Sequence, residues 1–160
     1  VNGYATQTGH HTALFSSEQQ IESIDNAVHK LLRLNIRKNK IVIGAAFYGR
    51  MWEAVPDTNS GLYQQGKFVK SISYKNFSSQ LSEDSGFVYH WDDRAMAPYL
   101  FNSAQHLFVT YDDKRSIQLK TKYALDKKLG GIMFWQLTSD AYSEGLLDAI
   151  DEEKLNYLKQ

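Results

Sequence analysis

Chemically versatile side chains stand at the ends of two apolar runs of the sequence. Tyr48 and Arg50 follow the run at 41–47, and Trp135 ends the run at 132–135. If both runs are strands of one α/β barrel, their C-terminal ends open at the same mouth, where such barrels carry their sites. A tryptophan face stacks on a sugar ring, while tyrosine and arginine hydrogen-bond its hydroxyl and amide groups. The positions therefore predict a carbohydrate platform. The same argument selects three further residues: Trp52, Gln136 and Asp140.

The chain is rich in aromatic residues, and this richness has two explanations. It holds 10 Tyr, 8 Phe and 3 Trp, which make up 13% of its residues. Aromatic side chains suit sugar binding, yet they also dominate the cores of ordinary globular proteins. On composition alone core packing is the commoner role, so the sugar hypothesis depends on position.

Other candidate chemistries have weaker support in the sequence. His10 and His11 could bind a metal, but neighbouring loop side chains diverge and no His-Glu-x-x-His spacing accompanies them. No serine lies in a Gly-x-Ser-x-Gly elbow, and no phosphate-binding glycine motif occurs. Paired carboxylates are needed by most glycoside hydrolases, and acidic pairs stand at 92–93 and 112–113. The second pair directly precedes a predicted helix, where capping is its expected role.

Charge and composition exclude several classes of protein. The 18 basic and 18 acidic residues give zero net charge with neutral histidines, which offers no support for nucleic-acid or anionic-membrane binding. The longest apolar run, at 41–47, is far too short to span a membrane. No cysteine is present, which excludes disulfides and thiol nucleophiles. Because the chain begins at Val1 and lacks an initiator methionine, we expect it to be a piece of a longer protein.

Helix and strand patterns alternate near both ends of the sequence. The spacing predicts a helix that begins at Ser17, its expected N-cap with Gln20 three residues later, and ends at residue 34. A buried strand at 41–47 follows. The later predicted elements are a helix at 116–129 closed by Gly130 and Gly131, a strand at 132–135 and a helix at 144–158. This order predicts parallel strands with the helices outside.

The middle of the chain does not fit this alternation. We predict a small α+β insertion at 53–111, because unstructured loops of that length are uncommon in compact domains. Its expected elements are a short helix at 74–81 and strands at 87–91, 98–101 and 107–111. Its expected core consists of five aromatic residues: Tyr89, Trp91, Tyr99, Phe101 and Phe108.

Three linked stretches of the sequence resemble glycosyl hydrolase family 18, the chitinases. The stretches are residues 40–50, which end in Tyr48-Gly49-Arg50, residues 97–117, which hold Ala97-Pro98-Tyr99 and Tyr111-Asp112-Asp113, and residues 129–135, which end in Trp135. Their order and spacing are similar to the family over essentially the whole chain.

The resemblance implies a fold. Residues 41–47 and 132–135 match the seventh and eighth strands of a TIM (β/α)8 barrel, and residues 17–34 match its sixth helix. Residues 1–52 and 112–160 would then form a partial barrel, and residues 53–111 the insertion domain of the family. A chain of 160 residues is too short for a complete barrel, which takes about 250.

The resemblance also implies a function and a site. The reaction is hydrolysis of β-1,4-linked N-acetylglucosamine polymers such as chitin, with retention of configuration and with the sugar's own N-acetyl oxygen as nucleophile. Trp135 matches the floor of the sugar subsite, Tyr48 and Arg50 match residues lining the cleft, and Asp92 lies in the region that walls the groove. No cofactor or metal is implied. Secretion or display at the cell surface is implied.

The catalytic signature of the family, Asp-x-x-Asp-x-Asp-x-Glu, is absent from this chain. The nearest acidic spacing, at Asp148, Asp151 and Glu153, has Leu155 in place of the glutamate. We therefore expect the general acid upstream of Val1 and predict that this chain alone is inactive. Two alternatives remain open: a chitinase-like lectin that binds chitin oligosaccharides without cleaving them, and an unrelated α/β interaction module.

Two strands separated from the rest of a barrel would leave an apolar face uncovered. We expect Ile41, Ile43 or the residues alternating with them to form this face. Because large exposed apolar patches are rare on monomers, we expect the chain to self-associate or to pair with the missing N-terminal half. We expect neither a nucleic-acid partner nor membrane insertion.

Overall fold

The computed structural model describes residues 5–159, so the parts of the predicted segments that fall on residues 1–4 and 160 lie outside it. Within the described range the α-helices are α1 (Ile24–Arg33), α2 (Phe77–Gln80), α3 (Lys114–Asp126) and α4 (Leu146–Leu158). The strands are β1 (Val42–Ala46), β2 (Tyr48–Glu53), β3 (Lys67–Ser73), β4 (Val88–Asp92), β5 (Ala97–Asn102), β6 (Leu107–Thr110) and β7 (Gly131–Trp135).

Strands β1 and β7 form a two-stranded parallel sheet. The register runs from Val42 opposite Gly131 to Ala46 opposite Trp135, so both strands end at the same level. The prediction of parallel strands is confirmed. Helix α3 contacts both strands and packs on α4, which places helices against one face of the sheet.

The side of the sheet that stays open differs from part of the expectation. Ile41 and Ile43 are buried among residues of α1 and α3, so they face the helices, and of the two expected sets it is the alternating residues that lie on the uncovered face. On β1 the alternating residues Val42, 53% exposed, and Gly44 lie open, and on β7 Met133, 49% exposed, and Trp135, 64% exposed, lie open on the same face. Successive side chains of a strand point to opposite faces, so one face must take the isoleucines and the other the alternates.

The remaining five strands form an antiparallel sheet in the order β3-β2-β6-β5-β4. The predicted strands at 87–91, 98–101 and 107–111 correspond to β4, β5 and β6. Strand β3 escaped prediction because its alternation of polar and apolar residues is broken at Val69 and Lys70, and Ile72 is its one buried residue. Strand β2 continues directly from β1 through Phe47 and thereby links the two sheets.

The core of the antiparallel sheet contains only some of the predicted aromatic residues. Tyr99, Phe101 and Phe108 are buried with Trp52 in one cluster. Tyr89 is 44% exposed and Trp91 is partly exposed, so their assignment to the core is wrong. Both lie on β4, an edge strand that has a neighbour on one side only.

The predicted start of the first helix is also wrong. Helix α1 begins at Ile24, and the Ser23 hydroxyl accepts a hydrogen bond from the Asn26 backbone N–H at 3.1 Å as its N-cap. The Gln20 side chain is engaged elsewhere: its amide donates to the His10 carbonyl at 2.8 Å and its oxygen accepts from the His10 N–H at 2.9 Å. Gln20 therefore fastens the preceding loop instead of completing a capping box at Ser17.

The end of α3 does not use a glycine cap, contrary to expectation. The helix ends at Asp126, and Lys128 takes the left-handed conformation with φ of 55°. Gly130 has a different role, because a Cβ atom there would lie 2.7 Å from the Asn39 carbonyl oxygen. The chain needs glycine at this position so that the loop before β7 can pass close to the loop before β1.

Two further observations concern membrane insertion and metal binding. No helix within residues 5–159 combines the length and apolarity needed to cross a membrane. Over the same range, no group of three or more His, Asp or Glu side chains is arranged to hold a metal ion.

Candidate functional site

The structure brings together Tyr48, Arg50 and Trp135, three of the four predicted site residues. They line two adjoining clefts at the C-terminal ends of β1 and β7, with volumes of about 350 Å³ and about 240 Å³. Gln136, also selected from the sequence, lines the larger cleft together with Ser71, Ser73 and Ser139. The smaller cleft is lined further by His11, Thr12, Met133 and the end of β1.

Backbone geometry holds these side chains at one place. The Phe47 N–H donates to the Trp135 carbonyl at 2.9 Å, which ties the end of β1 to the end of β7. Tyr48 and Arg50 are two residues apart on β2 and therefore project from the same face. The Arg50 guanidinium carbon lies 5.7 Å from the centre of the Tyr48 ring. The result is a surface in which a cation and a phenol lie beside an exposed indole.

Gly49 makes room behind this surface. A Cβ atom at this position would lie 2.6 Å from the tip of the Phe77 ring and 3.1 Å from the Thr110 carbonyl oxygen. The Phe77 ring of α2 therefore packs closely against β2 on the side away from Tyr48 and Arg50, and β6, the neighbouring strand of the same sheet, lies close beside Gly49. A larger residue at position 49 would push β2, and with it both cleft side chains, out of place.

The other positions chosen from strand ends have structural roles. Trp52 is fully buried, and its indole N–H donates to the Ala5 carbonyl at 2.9 Å, so its predicted place at the mouth is wrong. Asp140 caps helix α4, because its carboxylate accepts from the Leu146 and Leu147 N–H groups at 2.8 and 2.9 Å. Acids are stabilised at this end of a helix by its unpaired N–H groups.

Asp92 lies away from the three residues in the clefts. Its carboxylate oxygen Oδ2 is 2.9 Å from His10 Nε2, and Oδ1 accepts from the Arg94 and Ala95 N–H groups at 2.9 and 3.1 Å. The hydrogen bond from His10 lowers the pKa of Asp92 to about 2, although burial opposes this shift. Asp92 is not among the residues that line either cleft. Its observed contacts join β4 to the N-terminal loop.

His11 lines the smaller cleft, although its sequence context suggested only a metal ligand. Its ring lies against Tyr48 with centroids 5.4 Å apart, and its Nδ1 is 3.3 Å from the Thr110 hydroxyl. Burial, followed by the nearby charges of Lys120 and Arg50, holds its pKa well below the usual value, so the ring is neutral at pH 7. Its Nε2 and the Thr12 hydroxyl are buried without hydrogen-bond partners within the described residues. Thr110 is 99 residues away in sequence, so no local spacing could have revealed this contact.

A buried ion pair holds the end of β1, which lines the smaller cleft, in place. Asp112 and Lys120 both have fully buried side chains and are bonded to each other. The Asp112 carboxylate also accepts from the Ser116 hydroxyl at 2.8 Å and from the Ala46 N–H at 3.1 Å. Burial lowers the pKa of Lys120, and the Asp112 carboxylate opposes that effect. The pair fixes the last residue of β1, immediately before the turn into Tyr48.

The neighbouring carboxylate has the predicted capping role. Asp113 is the N-cap of α3, and its carboxylate accepts from the Ser116 N–H at 2.7 Å. The two adjacent acids thus have different roles, since Asp113 caps the helix and Asp112 holds the end of β1. Positions 112, 116 and 120 are each four apart, a helical spacing that could have indicated the buried contact.

The chain is similar to a known family of proteins. The model of the family Glycosyl hydrolases family 18 matches residues 2–140. Chitinase B of Serratia marcescens is 32% identical over 154 residues, which cover 81% of this chain and 31% of that protein. The chain thus spans about a third of this relative.

Two solved structures are similar to the chain in sequence and fold. A family 18 N-acetylglucosaminidase from Paenibacillus barengoltzii is 40% identical with a TM-score of 0.85, and the match covers 95% of this chain and 45% of that one. The Group IV chitinase of Ostrinia furnacalis, solved in complex with allosamidin, is 26% identical with a TM-score of 0.85, and the match covers 96% of this chain and 47% of that one.

The family match covers most of the sequence, and its relatives share the mixed α/β fold. An unrelated interaction module is therefore excluded. The chain belongs to glycosyl hydrolases family 18.

Proposed function

We propose that this chain is the sugar-binding C-terminal part of an enzyme that hydrolyses β-1,4-linked N-acetylglucosamine polymers. The observation that carries the proposal is the convergence of Tyr48, Arg50 and the exposed Trp135 on one pair of clefts. An indole that is 64% exposed offers its face to a sugar ring, and the neighbouring groups offer hydrogen bonds to hydroxyl and acetamide groups. The names of the relatives point to the same class of substrate.

The proposal includes a division of the chain. Residues 1–52 and 112–160 would contribute two strands of a (β/α)8 barrel, β1 and β7, with their outer helices, and residues 53–111 would form the insertion domain. The parallel pairing of β1 and β7, with helices on one face only, supports this division. Strand β2, at the end of the first barrel segment, belongs to the antiparallel sheet, whose other four strands lie in the insertion domain.

The chain would bind and orient the sugar while another part of the enzyme supplies the acid. In the substrate-assisted reaction a protonated carboxylic acid gives its proton to the leaving glycosidic oxygen. The N-acetyl oxygen attacks the anomeric carbon as that bond breaks, and water then opens the cyclic intermediate with net retention. Trp135 would hold the ring and Arg50 and Tyr48 would hold its polar groups, which keeps the N-acetyl oxygen close to the carbon it attacks.

A chitin-binding lectin is the second candidate function. The observation that favours it is a cleft suited to sugar in a sequence without the Asp-x-x-Asp-x-Asp-x-Glu signature. Both candidates need the same cleft and differ in whether the whole protein contains the acid. Secretion or cell-surface display accompanies either one, because chitin is an extracellular polymer.

The open face of the small sheet would be covered in the working protein. Val42, Met133 and Trp135 lie on it, and β1 and β7 each have one edge without a neighbouring strand among the described residues. Pairing with the remaining part of the barrel, or with a second copy of the chain, would cover the apolar part of this face.

The proposal is tested by assaying the 160-residue chain for both binding and turnover. We expect it to be retained on chitin beads and to release no chromophore from a chromogenic chitobiose substrate. General-acid catalysis contributes about 10² to 10⁴ in rate, and the chain lacks the family's acid. Turnover by the pure chain would show that its own residues include the acid, and failure to bind chitin would contradict both candidates.

A further inference from the structure

A third cleft, separate from the two clefts around Trp135, lies between the antiparallel sheet and the starts of helices α3 and α4. Its volume is about 620 Å³, within the range of small-molecule sites. None of its lining residues belongs to either of the clefts around Trp135. Four aromatic side chains line it: Tyr74, Phe77, Tyr89 and Tyr111. We call it the tyrosine cleft.

The aromatic rings of the tyrosine cleft form a connected surface. The centroids of Tyr74 and Phe77 are 5.6 Å apart, and those of Phe77 and Tyr111 are 4.8 Å apart. Tyr111 is buried and supports the floor, while Tyr89 on the edge strand β4 is 44% exposed. The first two rings are tilted by 41° and the second pair by 55°, so the flat apolar face open to a ligand is that of the single exposed ring, Tyr89.

A fixed carboxylate stands at the rim of this surface. The Tyr89 hydroxyl donates to Asp113 Oδ2 at 3.1 Å, while Asp113 Oδ1 accepts from the Ser116 N–H at 2.7 Å as the cap of α3. The cap sets the orientation of the carboxylate, and Oδ2 keeps a lone pair for a ligand hydroxyl. Burial raises the pKa of Tyr89 to about 12, with Asp113 adding to the shift, so the phenol stays protonated at neutral pH.

The charges of the tyrosine cleft select a neutral ligand. Asp113 and Glu144 line it together with Lys75, Glu144 also lies 3.7 Å from Lys114, and Arg115 beside Tyr89 lies 3.9 Å from Asp93, so acids and cations balance and no excess of positive charge attracts an anion. Hydroxyl groups come from Ser78, Ser82 and Ser143. An aromatic face edged by a carboxylate and hydroxyls matches a pyranose of the N-acetylglucosamine configuration, whose faces carry axial C–H groups and whose rim carries equatorial hydroxyls.

The geometry points to the tyrosine cleft as an accessory binding site for neutral N-acetylglucosamine oligosaccharides. The choice of sugar rests on the proposed function, because that function would bring the same polymer to this surface. The tyrosine cleft would bind a second stretch of the same polymer beside the antiparallel sheet, while Trp135 binds the first stretch. Two linked binding sites raise the overall affinity for a polymer.

The test is a titration of the ¹⁵N-labelled 160-residue chain with tetra-N-acetylchitotetraose, followed by NMR. The Trp135 indole N–H reports on the first site, and the backbone amides of Ser78, Ser82 and Ser143 report on the tyrosine cleft. We expect both sets of signals to shift. Tyr89→Ala should weaken the apparent affinity at the three serine amides about threefold to tenfold and leave the Trp135 signal unchanged.

Two further variants serve as controls for Tyr89→Ala. Tyr89→Phe keeps the ring and loses the hydroxyl, so it should retain most of the binding in a folded protein. Tyr157→Ala removes a partly exposed tyrosine on α4, outside the cleft, and should change neither set of signals.

Each outcome separates this inference from the proposed function. Serine amides that stay still at saturating sugar, or shift equally in Tyr89→Ala, overturn the accessory site. If the Trp135 signal alone moves, the accessory site is overturned and the proposed function stands. If the serine amides alone move, the accessory site stands and the Trp135 platform is overturned. If neither set moves, both are overturned.

Discussion

At the scale of single residues, the clefts depend on charges that never contact a ligand. The carboxylate of Asp112 holds the Ala46 N–H, and Lys120 neutralises that carboxylate inside the protein. An ion pair of this kind brings little net stability, because both charges lose their hydration. The pair instead sets the position of Ala46, the last residue of β1, which lies two residues before Tyr48.

Removing one member of this pair should destabilise the fold strongly. Lys120→Met leaves the Asp112 carboxylate buried and unpaired, which should lower the free energy of unfolding by about 3–5 kcal/mol. Urea denaturation measures the effect. The matched control is Lys122→Met, two residues along the same helix, whose partner Asp126 is solvent-exposed. We expect no measurable change from that variant, and similar losses at both positions would contradict the positional role of Lys120.

At the scale of elements, a contact between distant segments joins the N-terminal loop to edge strand β4. His10 is buried, and its Nε2 lies 2.9 Å from the Asp92 carboxylate, 82 residues away in sequence. Edge strands have one side without backbone hydrogen-bond partners. A side-chain contact of this kind therefore stabilises a strand that the sheet holds on one side only.

The Asp92 contact predicts a pH dependence of stability. Since the pKa of Asp92 is lowered to about 2 in the folded chain, its contribution is present above its ordinary pKa of 3.8 and is lost as the pH falls toward 2. At pH 6 the chain should exceed Asp92→Asn in unfolding free energy by about 1–2 kcal/mol, after allowance for solvent screening. This difference should shrink between pH 4 and pH 2 in urea unfolding series. A difference that stays constant over that window would contradict the assignment.

Periodicity predicted most elements correctly, and its errors share a cause. Strands β1, β4, β5, β6 and β7 were predicted because their apolar residues form unbroken runs. The start of α1 was misplaced because Ser17 and Gln20 have the types of a capping box, while Gln20 is bonded to His10. Strand β2 was missed because it follows β1 with no turn residues between them, and strand β3 because its alternation is broken and only Ile72 is buried. Each error arose where a tertiary contact, absent from the local sequence, decided the outcome.

At the scale of the whole molecule, the sequence predicted which strand-end residues come together better than it predicted the residues packed against them. Tyr48, Arg50 and Trp135 were found because the ends of parallel strands lie at one level, a consequence of fold alone. His11 and Thr110 were not found, because their contact spans 99 residues and depends on how the two sheets meet. Asp92 was assigned to the groove by family resemblance, and its observed partner is His10.

In the proposed function, Trp135 is the platform on which this chain binds N-acetylglucosamine oligosaccharides. Calorimetric titration of tetra-N-acetylchitotetraose into the chain and two variants tests it directly. We predict that Trp135→Ala raises the Kd about threefold to tenfold, with unchanged folding because the indole is exposed. Trp91→Ala, which removes an indole packed under Arg115 on the edge strand, should leave the Kd nearly unchanged. Equal losses at both positions, or an unaltered Kd in Trp135→Ala, would contradict the claim.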